Sequence, residues 1–215
     1  MRGIVIAGFL ASVFWLPVFS VPAFSVPAWA KDVNYCTEAV NTDDQQSKID
    51  LYTKCIFDGD LSKINLSIAY NNRGNAYDEI GQFNRAVQDY DRAVSLDPND
   101  AAAFINRGVA YGNLGQYSLS LGDYDRAIEL SPNNPTAWQN RCDAKARAGE
   151  FSDALPDCQQ ALRLDPDNAI ATYSRGLIYE GKGDTVAAIN HYRRALDLNP
   201  NLLEAKNDLA RLGAL

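Results

Sequence analysis

Four cysteines and a single histidine are the side chains of this 215-residue chain best suited to chemistry. Cys36, Cys55, Cys142 and Cys158 include no C-x-x-C spacing, which argues against thiol–disulfide exchange as an activity. In an oxidising compartment four cysteines suggest two bridges, with three possible connectivities. His191 stands alone, so metal binding or proton transfer through histidine lacks its usual partners, and no His/Cys/Asp set has metal-ligand spacing. A glycine-rich phosphate loop is also missing. The 27 acidic and 20 basic residues give a net charge of −7, which disfavours nucleic acid and anionic membrane surfaces as partners. With 47% hydrophobic residues, the chain has the apolar content for a folded core. These features point to a folded, acidic protein that is not an enzyme and takes no cofactor or metal.

The first 30 residues stand apart. They carry one charge, Arg2, and every acidic residue lies at or beyond Asp32. An apolar run from Gly3 to Leu16 leads through Pro17, Pro22 and Pro27 to Ala28-Trp29-Ala30. A basic start, an apolar middle and an A-x-A end are the pattern of a secretory signal peptide. Residues 1–30 are therefore expected to be a leader cut after Ala30. The mature protein would then be periplasmic or secreted, with no stable membrane insertion. The alternative is an uncleaved anchor, against which the three prolines speak, because they interrupt a straight spanning helix.

Beyond the leader the sequence repeats every 34 residues. Pro98, Pro132, Pro166 and Pro200 keep that step, as do Gly81, Gly115, Gly149 and Gly183. Arg73, Arg107, Arg141 and Arg175 form a third ladder, and Leu96, Leu130, Leu164 and Leu198 a fourth. Within each unit two apolar stripes have helical spacing: Tyr70, Gly74 and Tyr77, then Ala86, Tyr90 and Ala93. Gly81 closes the first helix and Pro98 stops the second. Asp100, Asn134 and Asn168 sit where an N-cap opens the next unit, and Pro135 occupies a first-turn position.

This pattern resembles the tetratricopeptide repeat (TPR) family. Aromatic, Gly, Tyr, Ala, aromatic, Ala and Pro appear in order as Tyr70, Gly74, Tyr77, Ala86, Tyr90, Ala93 and Pro98. The second unit has Phe104, Gly108, Tyr111, Ser120, Tyr124, Ala127 and Pro132. The third has Trp138, Cys142, Lys145, Ala154, Cys158, Ala161 and Pro166, and the fourth Thr172, Gly176, Tyr179, Ala188, Tyr192, Ala195 and Pro200. Lys145 and Thr172 are the clearest departures, where local repacking is expected. The resemblance implies an all-α chain, a right-handed superhelix of helix-turn-helix repeats. Repeats are expected at 67–100, 101–134, 135–168 and 169–202. Residues 31–66 read as a degenerate hairpin, with a stripe of Ile49, Tyr52 and Ile56 broken at Gly59. Residues 203–215 read as a capping helix that presents Ala205, Leu209 and Leu212 to the last repeat.

The repeats also single out one cysteine pairing. Cys142 takes the place of Gly74, Gly108 and Gly176, and Cys158 that of Tyr90, Tyr124 and Tyr192. Replacing a small-plus-large pair by two cysteines suggests a Cys142–Cys158 bridge, which leaves Cys36–Cys55. Free buried thiols are the other possibility. Arg73, Arg107 and Arg141 precede Asp89, Asp123 and Asp157 by one constant interval, which suggests a charge link inside each hairpin. His191 stands where the fourth aspartate would be and reads as a surface substitution.

In proteins of this family the first helix of each repeat lines a concave groove that takes a peptide. The groove candidates are Asn71, Asn72, Asn75, Ile105, Asn106, Val109, Asn113, Gln139, Asn140, Arg147, Tyr173 and Leu177, with Asp78, Asp143, Ile170 and Glu180 beside them. Asn72, Asn106 and Asn140 form an amide ladder able to donate to and accept from a peptide backbone. Ile105 with Val109, and Tyr173 with Leu177, are either an exposed apolar surface or are buried by neighbouring helices. Some relatives clamp a C-terminal carboxylate with two asparagines and three basic residues. Asn75 and Asn106 match the asparagines, but Asn71, Thr136 and Asn140 hold the basic places, so that ligand is rejected. The expected role is a non-enzymatic scaffold that binds a protein or peptide partner. The competing readings are a carbohydrate- or cell-wall-binding module and a rigid accessory subunit of an envelope enzyme complex. Export by cleavage predicts that N-terminal sequencing of protein recovered from cells begins at Lys31; retention of Met1 would refute it.

Overall fold

The computed structural model describes residues 35–58 and 60–215. The leader at 1–30 and the helix break at Gly59 lie outside the described residues. Everything regular among those residues is helical. Residues 35–40 form α1, followed by α2 (Gln45–Asp58), α3 (Lys63–Glu79) and α4 (Phe83–Leu96). Next come α5 (Ala101–Asn113), α6 (Tyr117–Leu130), α7 (Pro135–Arg147) and α8 (Phe151–Leu164). The chain closes with α9 (Ala169–Gly181), α10 (Thr185–Leu198) and α11 (Leu203–Arg211).

Local sequence places the helix ends. Asp100 accepts from the Ala102 and Ala103 amides, Asn134 from Thr136 and Asn168 from Ala171, so each cap satisfies N–H groups that the helix leaves open. At the other end Gly81 adopts φ +73°, and the Gln82 amide donates back to the Tyr77 carbonyl at 2.8 Å. The chain reverses there at low steric cost because glycine has no Cβ.

Consecutive helices pack in pairs, α3 with α4, α5 with α6, α7 with α8 and α9 with α10. Their cores rest on small residues. Ala86, Ala93, Ala127, Ala154, Ala161, Ala188 and Ala195 are fully buried. A Cβ placed on Gly108 would stand 2.6 Å from the Tyr124 ring, and one on Gly74 2.6 Å from Tyr90. Tyrosine from the second helix therefore lies directly on the backbone of the first. In the third pair the same two positions bring the sulfurs of Cys142 and Cys158 to bonding distance, with Cα atoms 5.2 Å apart. Cys36 and Cys55 are likewise joined between α1 and α2, beside the buried Tyr52 and Ile56. Ser120, standing for alanine, is buried and donates to the Gly108 carbonyl at 2.7 Å.

The first three pairs also carry an ion pair each. Arg107 donates through Nε and Nη2 to both oxygens of Asp123, at 2.8 and 2.6 Å, and through Nη1 to Asp91 of the preceding helix at 2.8 Å. Arg141 repeats this with Asp157 and Asp125. Arg73 grips Asp89 in the same way and uses Nη1 on Thr53. Lys145 answers Asp157 at 2.8 Å, the repacking at the first departure from the pattern. Thr172 is buried, with its hydroxyl returned to the Asn168 carbonyl.

The first helices of successive pairs touch one another, α3 with α5, α5 with α7 and α7 with α9, whereas the second helices show no contact of that extent. The stack therefore curves with α3, α5, α7 and α9 on its inner side. Ala205 and Leu209 of α11 are buried against Ala188, Tyr192 and Ala195, and Leu212 packs on the same cluster.

Two substitutions test these packing devices. Arg107→Ala leaves Asp123 buried without a partner and is expected to cost about 3–5 kcal/mol in denaturant unfolding. Cys158→Tyr alone drives a ring into Cys142 and should destabilise strongly. The double variant Cys142→Gly/Cys158→Tyr restores the pair used by the other repeats and should recover much of that loss in thermal unfolding.

Candidate peptide-binding groove

On the inner side a hollow of about 490 Å³ opens between α5, α6, α7 and α11. From α5 come Val109 and Asn113, and from α7 Asn140, Asp143 and Arg147. Helix spacing explains why these meet. Val109 and Asn113 are four apart, as are Asp143 and Arg147, so each pair shares one face. The Arg147 Nε donates to Asp143 at 2.6 Å, and the other Asp143 oxygen accepts from Ser174 at 2.9 Å. Asp143 is thereby held rigid between α7 and α9. Val109, Asn113, Asn140 and Arg147 are thus the groove candidates that the structure gathers into one place.

Several contributors are not legible as groove residues in the sequence, among them two tyrosines and a glutamate. Tyr117 and Tyr124 come from α6, the second helix of its pair, and Glu204 from the closing helix. Tyr124 fills a position that periodicity assigns wholly to packing. Burial pushes its hydroxyl up to about 12, so it remains protonated at neutral pH. Glu204 is exposed and, among the described residues, makes no hydrogen bond or ion pair. With Asp143 already matched by Arg147, the hollow carries an unneutralised negative charge at Glu204.

Other candidates are used elsewhere. Ile105 is not an exposed apolar contact: it is buried with Ala127, Ile128 and Ala137, between α6 and α7. Tyr173 is also buried, packed on Tyr192 with its hydroxyl donating to Asp208 at 2.8 Å. Leu177 is half-buried against the clusters around Tyr192 and around the Cys142–Cys158 pair. In each case the reason is the adjoining helix, which covers a face that an isolated hairpin would leave open.

The asparagine ladder is likewise divided. Asn106 donates to Asn71 at 3.1 Å and so ties α5 to α3. Asn75 accepts from the Tyr90 hydroxyl at 2.8 Å. Asn72 is hydrogen-bonded to Tyr52 and lines a separate hollow of about 210 Å³ beside Val40 and Ile68. Gln139 donates to Asn140 and accepts from Asn168, both at 3.0 Å. Each amide keeps further hydrogen-bonding capacity, but Asn140 is the member of the ladder that lines the central hollow. Glu180, beside the groove candidates, receives Tyr192 and both terminal nitrogens of Arg211, which pins α11 in place.

His191 is more than a plain surface substitution. It is half-buried and stacked on Tyr179 at 5.1 Å with near-parallel rings. Burial, with the Arg175 charge adding to it, holds its imidazole below the usual range. Among the described residues no helix is long and apolar enough to cross a membrane, and no group of three or more His, Cys, Asp or Glu gathers as a metal site.

Sequence models of the tetratricopeptide repeat match residues 74–115, 101–134 and 141–202. Among solved structures the chain is similar to YrrB, a TPR protein with an unusual peptide-binding site. The TM-score is 0.65 at 22% identity, covering 84% of this chain and 91% of YrrB. It is similar to MamA, with a TM-score of 0.67 at 22% identity over 82% of this chain and 94% of that one. A thermophilic TPR protein of Thermus thermophilus matches with a TM-score of 0.68 at 18% identity, over 86% of this chain and 100% of that one. Paired helices, glycine-closed turns and these likenesses lead to one assignment: the chain is a tetratricopeptide-repeat protein, a right-handed α-α superhelix.

Proposed function

We propose that this chain is an exported, non-enzymatic scaffold that holds a segment of a partner protein in the hollow between α5, α6, α7 and α11. The observation that carries the reading is the composition of that hollow. Asn113 and Asn140 offer amides to a peptide backbone, Val109 and Tyr117 offer apolar surface, and Glu204 offers an unmatched charge. An extended segment with a lysine or arginine suits this arrangement, since the basic group answers Glu204 while the backbone meets the amides. The peptide-binding site of YrrB, a protein of the same fold, is consistent with it. Cysteine pairs at bonding distance in α1–α2 and α7–α8 favour an oxidising compartment, as a leader cut after Ala30 requires.

Affinity purification of the protein from its native envelope tests this. Asn113→Ala/Asn140→Ala is expected to weaken retention of the partner about 10-fold, at roughly 0.5–1.5 kcal/mol for each lost hydrogen bond. Glu204→Lys should weaken it further while leaving the thermal midpoint unchanged. Equal retention by all variants would overturn the site. Loss of glycan retention without loss of a protein would move the reading to a carbohydrate-binding module.

A further inference from the structure

Arg175 is the fourth member of the arginine ladder, and its surroundings differ from the other three at each contact. Arg107 and Arg141 hold an aspartate of their own hairpin, Asp123 and Asp157, and an aspartate of the preceding one, Asp91 and Asp125. Beside Arg175 the corresponding residues are His191 and Gln159. The aromatic ring that lies against the earlier arginines, Tyr70, Phe104 or Trp138, is here Thr172. Tyr179, the counterpart of Tyr77 and Tyr111, is stacked on His191.

The arginine has nonetheless been kept. Its Nε is enclosed and has no hydrogen-bond partner, and among the described residues Arg175 makes no ion pair. A guanidinium is a planar fork that matches a carboxylate through two parallel bonds. Arg175 as a whole is partly buried, and leaving its enclosed Nε–H without an acceptor is costly. The earlier pairs show what it would accept, and Gln159 is exposed, as are Asp91 and Asp125 in the outer places beside Arg107 and Arg141.

We propose that Arg175, with His191 beside it, is a receptor for a carboxylate from outside the chain, an acidic side chain of a partner protein. The carboxylate takes up the role that internal aspartates play in the preceding repeats. The site is separate from the inner hollow, which neither Arg175 nor His191 lines, and does not depend on the reading of that hollow.

His191 is the only histidine in the chain, so its ring resonances report on the site directly. In NMR titrations of the intact protein, acetate and a short polyglutamate peptide are compared with chloride at equal ionic strength. The carboxylates are expected to shift the His191 resonances saturably and to raise its titration midpoint, the peptide at lower concentration than acetate. Arg175→Gln should lose the response. His191→Asp fills the site from within. It is expected to raise the thermal midpoint and to remove any further stabilisation by acetate, which keeps the test open should Arg175→Gln fail to fold. An unchanged response in Arg175→Gln, or no carboxylate effect beyond that of chloride, would overturn the proposal. A response to inorganic phosphate without one to either carboxylate would also overturn it.

Discussion

The approach of each tyrosine onto a bare stretch of the facing helix governs the rest of the structure. Tyr90 lies on Gly74 and Tyr124 on Gly108 so closely that a single added methyl group would collide with the ring. That closeness sets the distance between the two helices of a hairpin. It decides which residues beside the contact can be alanine, and it brings Arg73 and Arg107 within reach of carboxylates on the opposite helix. Where the glycine and tyrosine are absent, Cys142 and Cys158 span the same gap by covalent means. A bridge there tolerates the loss of ring packing because it restrains the unfolded chain as well as the folded one.

The arginine ladder serves a different purpose. Removing a guanidinium and a carboxylate from water costs about as much as their attraction returns, so a buried pair adds little net stability over an apolar one. Its value lies in register. Arg107 and Arg141 each reach forward to their own hairpin and back to the one before, so one planar group orients three helices. A stack of repeats is stabilised through such nearest-neighbour contacts. At the end of the stack the ladder stops, and α11 is held instead by Arg211 on Glu180 and by Tyr173 on Asp208.

The same curvature that stacks the repeats makes the inner surface. Helices α3, α5, α7 and α9 touch in sequence, which bends the array toward them and brings α11 near enough for Glu204 to share a hollow with Asn113 and Asn140. The hollow is therefore a product of the number of repeats and their pitch. No single hairpin contains it.

Much of this could be read from residue order, because the interactions concerned are local or recur at a fixed interval. The 34-residue ladders, the caps at Asp100, Asn134 and Asn168, the Arg–Asp pairs and the cysteine substitution in the third repeat all depend on one hairpin or on its neighbour. The groove was legible only in part. Val109, Asn113, Asn140 and Arg147 line one hollow, but Ile105 and Tyr173 are buried by adjoining helices. Tyr117 and Glu204 come from elements that helix periodicity gives no reason to include. Register alone makes His191 a surface exchange for the aspartate it replaces, while its stacking on Tyr179 depends on the gap between α9 and α10. Repeat order alone determined what each hairpin is. Which faces stay open to a partner was decided by the curvature of the stack, because burial depends on the next helix in space and not on the next residue in the chain.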